Sequence, residues 1–158
     1  MDKHFLDGVA LILGSSSGFG EAAALELAEA GMDIVGVHLD RKGTLPNVER
    51  IIAEIEKMGR RALFFNINAA STEKRTEVLD RLVSEQMTVR VLLHSLAFGS
   101  LKPLIAETER EAITQPQLEM TLDVMANSLV YWTQDLLRRN LFDRGGSIYG
   151  MTSAGGAR

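Results

Sequence analysis

The chain is expected to fold as an α/β domain, a doubly wound parallel sheet with helices on both faces. Three observations point there. Five short apolar runs recur along 158 residues. Segments with helical periodicity separate them, so strand and helix alternate. The connections are tight, and the apolar runs are continuous rather than alternating, as strands covered on both faces require.

"GVALILG" (8–14) opens as a buried strand bounded by glycines. "EAAALELAEAG" (21–31) is built from strong helix formers and stops at Gly31. "DIVGVHL" (33–39) reads as the second strand. "NVERIIAEIEKMG" (47–59) sets Val48, Ile51, Ile52, Ile55 and Met58 on one helical face and ends at Gly59. "RALFFNI" (61–67) is the third strand. "STEKRTEVLDRLVSEQ" (71–86) begins at a Ser/Thr cap and carries Val78, Leu79, Leu82 and Val83 as its stripe. "VRVLLHSLA" (89–97) is the fourth strand. From about Glu107 to Arg139 the chain reads as helical. There Leu118, Leu122, Met125, Leu129, Trp132 and Leu136 recur every three or four residues, a stripe expected to lie mostly in the core. "GSIYGM" (146–151) is the fifth strand.

Composition narrows the function classes. The net charge is −4, and the basic residues are scattered. A field of that sign repels polyanions, so neither nucleic acid nor an anionic membrane is an expected partner. The chain has no cysteine, which excludes disulfides, thiolate zinc sites and cysteine nucleophiles and fits a reducing, cytoplasmic setting. No metal site is expected. No run of 18 apolar residues is present, and "MDKHFLDG" lacks the apolar stretch of a secretory signal, so neither a membrane span nor such a signal is expected. One domain over 1–158 accounts for the length.

The chemistry concentrates in "LILGSSSGFG" (11–20), where two readings compete. Gly14-Ser15-Ser16-Ser17-Gly18 matches G-x-S-x-G, the elbow of serine hydrolases. Ser16 would then attack, with His94 as base and Asp40 or Asp80 orienting it. That reading leaves Gly20 without a purpose. The other reading uses Gly14, Gly18 and Gly20 together. Gly14 permits the turn out of the strand, Gly18 lets the backbone approach a pyrophosphate, and Gly20 lets the helix pack closely. Phosphates would rest on the free N–H groups of the helix N-terminus, helped by the Ser15, Ser16 and Ser17 hydroxyls. The position after the first strand of a βαβ unit favours this second reading.

At this point the chain resembles the short-chain dehydrogenase/reductase family, over its whole length. "GSSSGFG" is similar to the family's cofactor loop. "FNIN" (65–68) stands where the family has an Asp-Val pair against the adenine, with Asn66 in place of the Asp and Ile67 following. "HSLAFG" (94–99) stands where most members carry Asn-Asn-Ala-Gly, and it is similar to the His-Ser-Leu-Ala stretch of the enoyl-[acyl-carrier-protein] reductases. "GSLKPL" and the closing "GGAR" fit that subgroup too.

The resemblance implies a Rossmann-type fold and hydride transfer between a nicotinamide cofactor and an enoyl thioester or carbonyl. It implies a cofactor site from Gly14 through Gly20, with Phe19 between two of its glycines, and His94, Ser95, Leu96 and Ala97 along the nicotinamide ribose. Asn127 in "ANSLVYW" stands at the family's helical active-site Asn, and Ser153 at its catalytic Ser. His38 occupies the position expected for a ribose-binding acid, with Asp40 two residues on, then Arg41 and Lys42. Two cations just past the second strand favour NADP(H) over NAD(H). The family's catalytic Tyr and Lys lie beyond the serine strand, past Arg158. Tyr131 and Arg138, seven apart on one helix, read as a structural pair. The chain is therefore expected to be the cofactor-binding part of a longer, homo-oligomeric enzyme; a catalytically incomplete nucleotide-binding module is the alternative.

Overall fold

The computed structural model describes residues 6–152. Five strands form one parallel sheet: β1 (Val9–Leu13), β2 (Asp33–His38), β3 (Ala62–Asn66), β4 (Val89–His94) and β5 (Phe142–Gly150), in the order β3-β2-β1-β4-β5. Five α-helices connect them: α1 (Gly18–Glu29), α2 (Leu45–Lys57), α3 (Thr72–Ser84), α4 (Gln115–Leu122) and α5 (Ser128–Arg138). A π-helical turn, Asp123–Asn127, joins α4 to α5.

The two-residue period of the strands sorts their side chains onto two cores. Val9, Leu11, Leu13, Val35, Val37 and Leu92 meet Val78, Leu79 and Leu82 of α3 and Trp132 and Leu136 of α5. Ala10, Ile12, Ile34 and Leu93 face the other way, onto Ala24 and Ala28 of α1 and Ile51 and Ile55 of α2. Every residue of β1 is buried, which explains why that run carries no polar alternation.

Three expectations need correction. The helical segment begins at Gln115 rather than near Glu107. Pro116 favours a helix start there, and the Gln117 carboxamide accepts the Thr114 N–H at 3.1 Å. Second, the stripe predicted for the core divides. Leu118, Leu122 and Met125 are exposed, while Val124, Ser128, Trp132 and Leu136 are buried. The π-turn adds a residue to one turn, which rotates the face that follows. Third, β5 begins at Phe142, ahead of the predicted Gly146. Val89 pairs with Phe142 but Val91 pairs with Ser147, so β5 bulges over the residues between.

The strand order reverses between β1 and β4, which are neighbours in the middle of the sheet. Their carboxyl ends diverge there into different loops, and ligands of open α/β sheets bind at that crevice.

Candidate functional site

A cleft of about 320 Å³ opens at the carboxyl ends of β1, β2 and β4. Its wall is formed by the β1–α1 loop (Gly14, Ser16, Ser17, Gly18, Phe19), the end of β2 (Val37, His38, Leu39) and the segment after β3 (Ile67, Asn68, Ala69). The β4 loop (Ser95, Leu96, Ala97, Phe98) and Val124 of the π-turn complete it.

The glycines of the loop have separate structural reasons. Gly14 has φ +91°, and a Cβ there would lie 2.4 Å from the Ser95 carbonyl oxygen. The loop therefore presses on the exit of β4. A Cβ on Gly20 would sit 1.8 Å from the Gly14 carbonyl oxygen, so α1 packs against the turn that precedes it. Around Gly18 the space is open.

The helix N-terminus is left with unused donors. Ser17 is the N-cap residue, but its side chain makes no capping hydrogen bond. Glu21 N–H is satisfied by the Ser17 carbonyl at 3.2 Å. Ahead of it, the N–H groups of Ser16, Ser17, Gly18 and Phe19 have no acceptor among the described residues. Free N–H groups on a helix N-terminus suit an anion. The residues present thus fit a dinucleotide: a glycine cradle that a Cβ would fill, open donors, and a cleft with largely apolar walls. The single acidic group in the first turn, Glu21, is ion-paired to Arg50.

Of the residues predicted for the cofactor, ten line this cleft: Gly14, Ser16, Ser17, Gly18, Phe19, His38, Ile67, Ser95, Leu96 and Ala97. The others are placed differently. Ser15 is fully buried beneath the loop, and its hydroxyl donates to the Val37 carbonyl at 3.3 Å. Its N–H goes to the same oxygen at 3.2 Å, so Ser15 ties the loop to β2 instead of offering a donor to the cleft. Asn66 is likewise committed. Its Oδ1 accepts the Asp40 N–H at 2.9 Å and its Nδ2 donates to the Asp40 carbonyl at 3.0 Å, clamping the turn after β2. Gly20 packs beneath the loop, as described above.

His94 is buried away from the cleft wall. The Ser128 hydroxyl gives its one proton to the Val124 carbonyl at 2.7 Å, and so accepts from His94 Nε2 at 2.8 Å. This network assigns the Nε2–H tautomer. Burial pushes the imidazole below its ordinary value of 6.5, against the opposing pull of backbone hydrogen bonds with Val124 and with its own main chain. A histidine whose folded-state value is lowered resists protonation. Its contribution to stability is complete above pH 6.5 and is lost as the pH falls below that value. Thermal unfolding followed against pH should therefore show a decline below pH 6.5 that the His94→Gln variant lacks.

Asp40 lies at the cleft's edge. Partial burial pushes its carboxyl up, but hydrogen bonds from Ser16, Thr44 and His38, with the His38 charge, prevail and hold it below 3.8. His38 Nδ1 lies 2.9 Å from Asp40 Oδ2. This order of contacts removes the support for the hydrolase reading. No imidazole is hydrogen-bonded to Ser16 among the described residues, and His38 pairs with Asp40 instead. The other proposed members are committed elsewhere: His94 to Ser128, and Asp80 to Arg139 at 2.5 Å. Arg41 and its neighbour Lys42 are exposed on the turn after β2, with no ion-pair partner among the described residues.

Asn127 lies in the π-turn, exposed, with Nδ2 3.5 Å from Asp123 Oδ1. The same oxygen accepts the Tyr131 hydroxyl at 2.8 Å. Tyr131 also lies under the Arg75 guanidinium, 5.3 Å from the ring centroid. Arg75 is held by Asp135 at 2.6 Å, and Arg138 reaches the other Asp135 oxygen at 3.5 Å. Tyr131 and Arg138 thus belong to one structural network without touching each other. Ser153 lies outside the described residues.

Several cleft residues escaped the sequence reading: Leu39, Asn68, Ala69, Phe98 and Val124. Asn68 and Phe98 had a signal, since they lie inside "FNIN" and "HSLAFG", and Ala69 directly follows the first of these. Val124 had none, because nothing in its spacing announces the π-turn. No group of three or more potential metal ligands occurs among the described residues. No helix among them is long and apolar enough to cross a membrane.

Comparison with known proteins agrees with this fold. The family profile described as Enoyl-(Acyl carrier protein) reductase matches residues 13–158. The 3-oxoacyl-[acyl-carrier-protein] reductase FabG of Staphylococcus epidermidis is 27% identical over 148 residues, covering 94% of this chain and 57% of that protein. The (-)-trans-carveol dehydrogenase of Rhodococcus erythropolis is 24% identical over 158 residues, covering 95% and 56%. The chain thus spans little more than half the length of these relatives. A short chain dehydrogenase from Burkholderia cenocepacia J2315 in complex with NADP shares the fold, with a TM-score of 0.76 and 22% identity over 98% of this chain and 59% of that one. L-sorbose reductase from Gluconobacter frateurii, complexed with NADPH and L-sorbose, has a TM-score of 0.70 and 26% identity, covering 87% and 49%.

Proposed function

The chain belongs to the short-chain dehydrogenase/reductase family, and from that membership we propose that the protein is an NAD(P)H-dependent oxidoreductase that reduces an enoyl thioester or a carbonyl. The observation that carries this reading is the row of unpartnered N–H groups at the start of α1, facing a cleft at the sheet's switch point.

The nicotinamide, when bound, supplies the hydride. The chain's own groups do the rest. The Ser16–Phe19 backbone binds the pyrophosphate, Ile67 and Leu39 pack against the adenosine end, and Ser95 to Phe98 with Val124 shield the reacting end from water. Ser153 polarises the substrate oxygen, and Asn127 organises a helix carbonyl and water for proton relay. The names of the relatives support an acyl-thioester substrate first and a small alcohol or ketone second. A homo-oligomer is supported by the exposed Leu118, Leu122, Met125, Val130 and Leu137 on α4, the π-turn and α5.

NADP(H) is the preferred cofactor in this reading. Asp40 spends its charge on His38, 2.9 Å away, while Arg41 and Lys42 remain available to a 2′-phosphate. Replacing both cations with alanine should weaken NADPH binding about tenfold and leave NADH within about twofold. Calorimetric titration of both cofactors checks this. An equal change for both, or none, would remove the NADP(H) assignment. Consumption of NADPH with enoyl- or 3-oxoacyl-thioesters tests the activity itself; saturable binding without turnover would leave the nucleotide-binding module as the reading.

A further inference from the structure

We infer that Asn47 is a positioning residue of the pyrophosphate cradle, acting through the Ser16 carbonyl. This rests on the reading that the cleft holds a dinucleotide. Asn47 lies in the first turn of α2 and is no part of the cleft wall. Its Nδ2 donates to the Ser16 carbonyl at 2.7 Å and to Glu21 Oε2 at 3.0 Å. Its Oδ1 accepts from Arg50 Nε at 3.2 Å and Arg50 Nη2 at 3.0 Å. Both protons and both lone pairs of the carboxamide are therefore used.

The consequence follows from the planarity of the peptide bond. In a trans peptide the C=O and the next N–H point in opposite directions, and no cis bond is present among the described residues. Holding the Ser16 carbonyl on Asn47, outside the cleft, turns the Ser17 N–H toward the opposite side, where the cleft lies. Ser16 is thus gripped at its carbonyl from α2. The same network brings Arg50 onto Glu21, the one carboxylate in the first turn of α1. That pairing masks a negative charge beside the donors meant for an anion.

A positioning role separates from a scaffold role by ligand. NADPH carries the pyrophosphate that needs the Ser17 N–H; adenosine 2′-phosphate does not. Asn47→Asp keeps the shape but removes the donors, and Asn47→Ala removes the whole amide. Affinities of the full protein and both variants for the two ligands would be measured by calorimetry, with thermal unfolding alongside. Both variants should bind NADPH about tenfold more weakly and adenosine 2′-phosphate within about twofold of the parent. Equal losses for both ligands, unchanged NADPH affinity, or failure of both variants to fold would overturn the inference. Failure of the unmodified protein to bind NADPH would overturn the nucleotide reading itself, and this inference with it.

Discussion

Gly20→Ala is expected to cost about a hundredfold in NADPH affinity, and the protein about 1–3 kcal/mol of stability. The added Cβ would stand 1.8 Å from the Gly14 carbonyl oxygen and 2.8 Å from its carbon. These are backbone atoms, so no change of rotamer relieves the clash. Either α1 moves away from the sheet or the β1–α1 loop gives way. Both moves displace the N–H groups of Ser16 to Phe19 from the cleft. Gly18→Ala is the informative contrast. It also strains a backbone with φ +57°, but nothing lies within 4 Å of the new methyl group. Its cost should stay near 1 kcal/mol, roughly the left-handed penalty alone. Calorimetry and thermal unfolding of the two variants measure the difference. Equal behaviour would show that close packing of α1 does not shape the cradle.

Trp132→Ala should produce the largest loss of stability, about 3–5 kcal/mol. Trp132 is fully buried in the core between α5, α3 and the sheet. Its Nε1–H donates to the Ala69 carbonyl at 2.9 Å, and Ala69 lines the cleft. The indole therefore fills the core and holds one wall of the site. Trp132→Phe separates the two roles. It keeps most of the volume but leaves the Ala69 carbonyl without its donor, at a cost of about 1–3 kcal/mol. Urea unfolding should show a lower midpoint for both variants with an unchanged slope. NADPH binding to the Phe variant should weaken as the wall loosens. A Phe variant as stable as the parent would mean that the indole N–H contributes only packing.

Much of the fold is legible in the residues because the signals are local. "VALIL" and the "IVGV" centre of "DIVGVH" are apolar throughout, as strands covered on both faces require. The helix from Thr72 begins at Ser71, whose Oγ accepts the Lys74 N–H at 3.3 Å, as a Ser/Thr cap predicts. The same locality explains the failures. Ser128 is buried because His94, 34 residues away, needs its oxygen. A polar residue on a core face is invisible to a count of apolar ones, so the stripe was drawn through Leu122 and Met125 instead of Val124 and Ser128.

The candidate site follows the same division. Glycine spacing after a strand marks the cradle, because close backbone approach admits nothing larger. The residues that hold the cradle are set by tertiary contact. Ser15 reaches Val37 across 22 residues, Asn66 reaches Asp40 across 26, and Asn47 reaches Ser16 across 31. Serine and asparagine serve ligands and backbone equally well, so type and spacing alone assigned Ser15 and Asn66 to the cofactor. Asn47 read as nothing more than the polar start of a helix.

The most direct test of the nucleotide cleft is amide hydrogen exchange of the protein with and without NADPH. Saturable slowing at Ser16 to Gly20 and at Ser95 to Phe98 is the predicted result, since those segments form the two sides of the cleft. Absence of saturable protection would contradict the account. So would protection confined to the opposite end of the sheet, around Asp7, Asp33, Arg60 and Arg61.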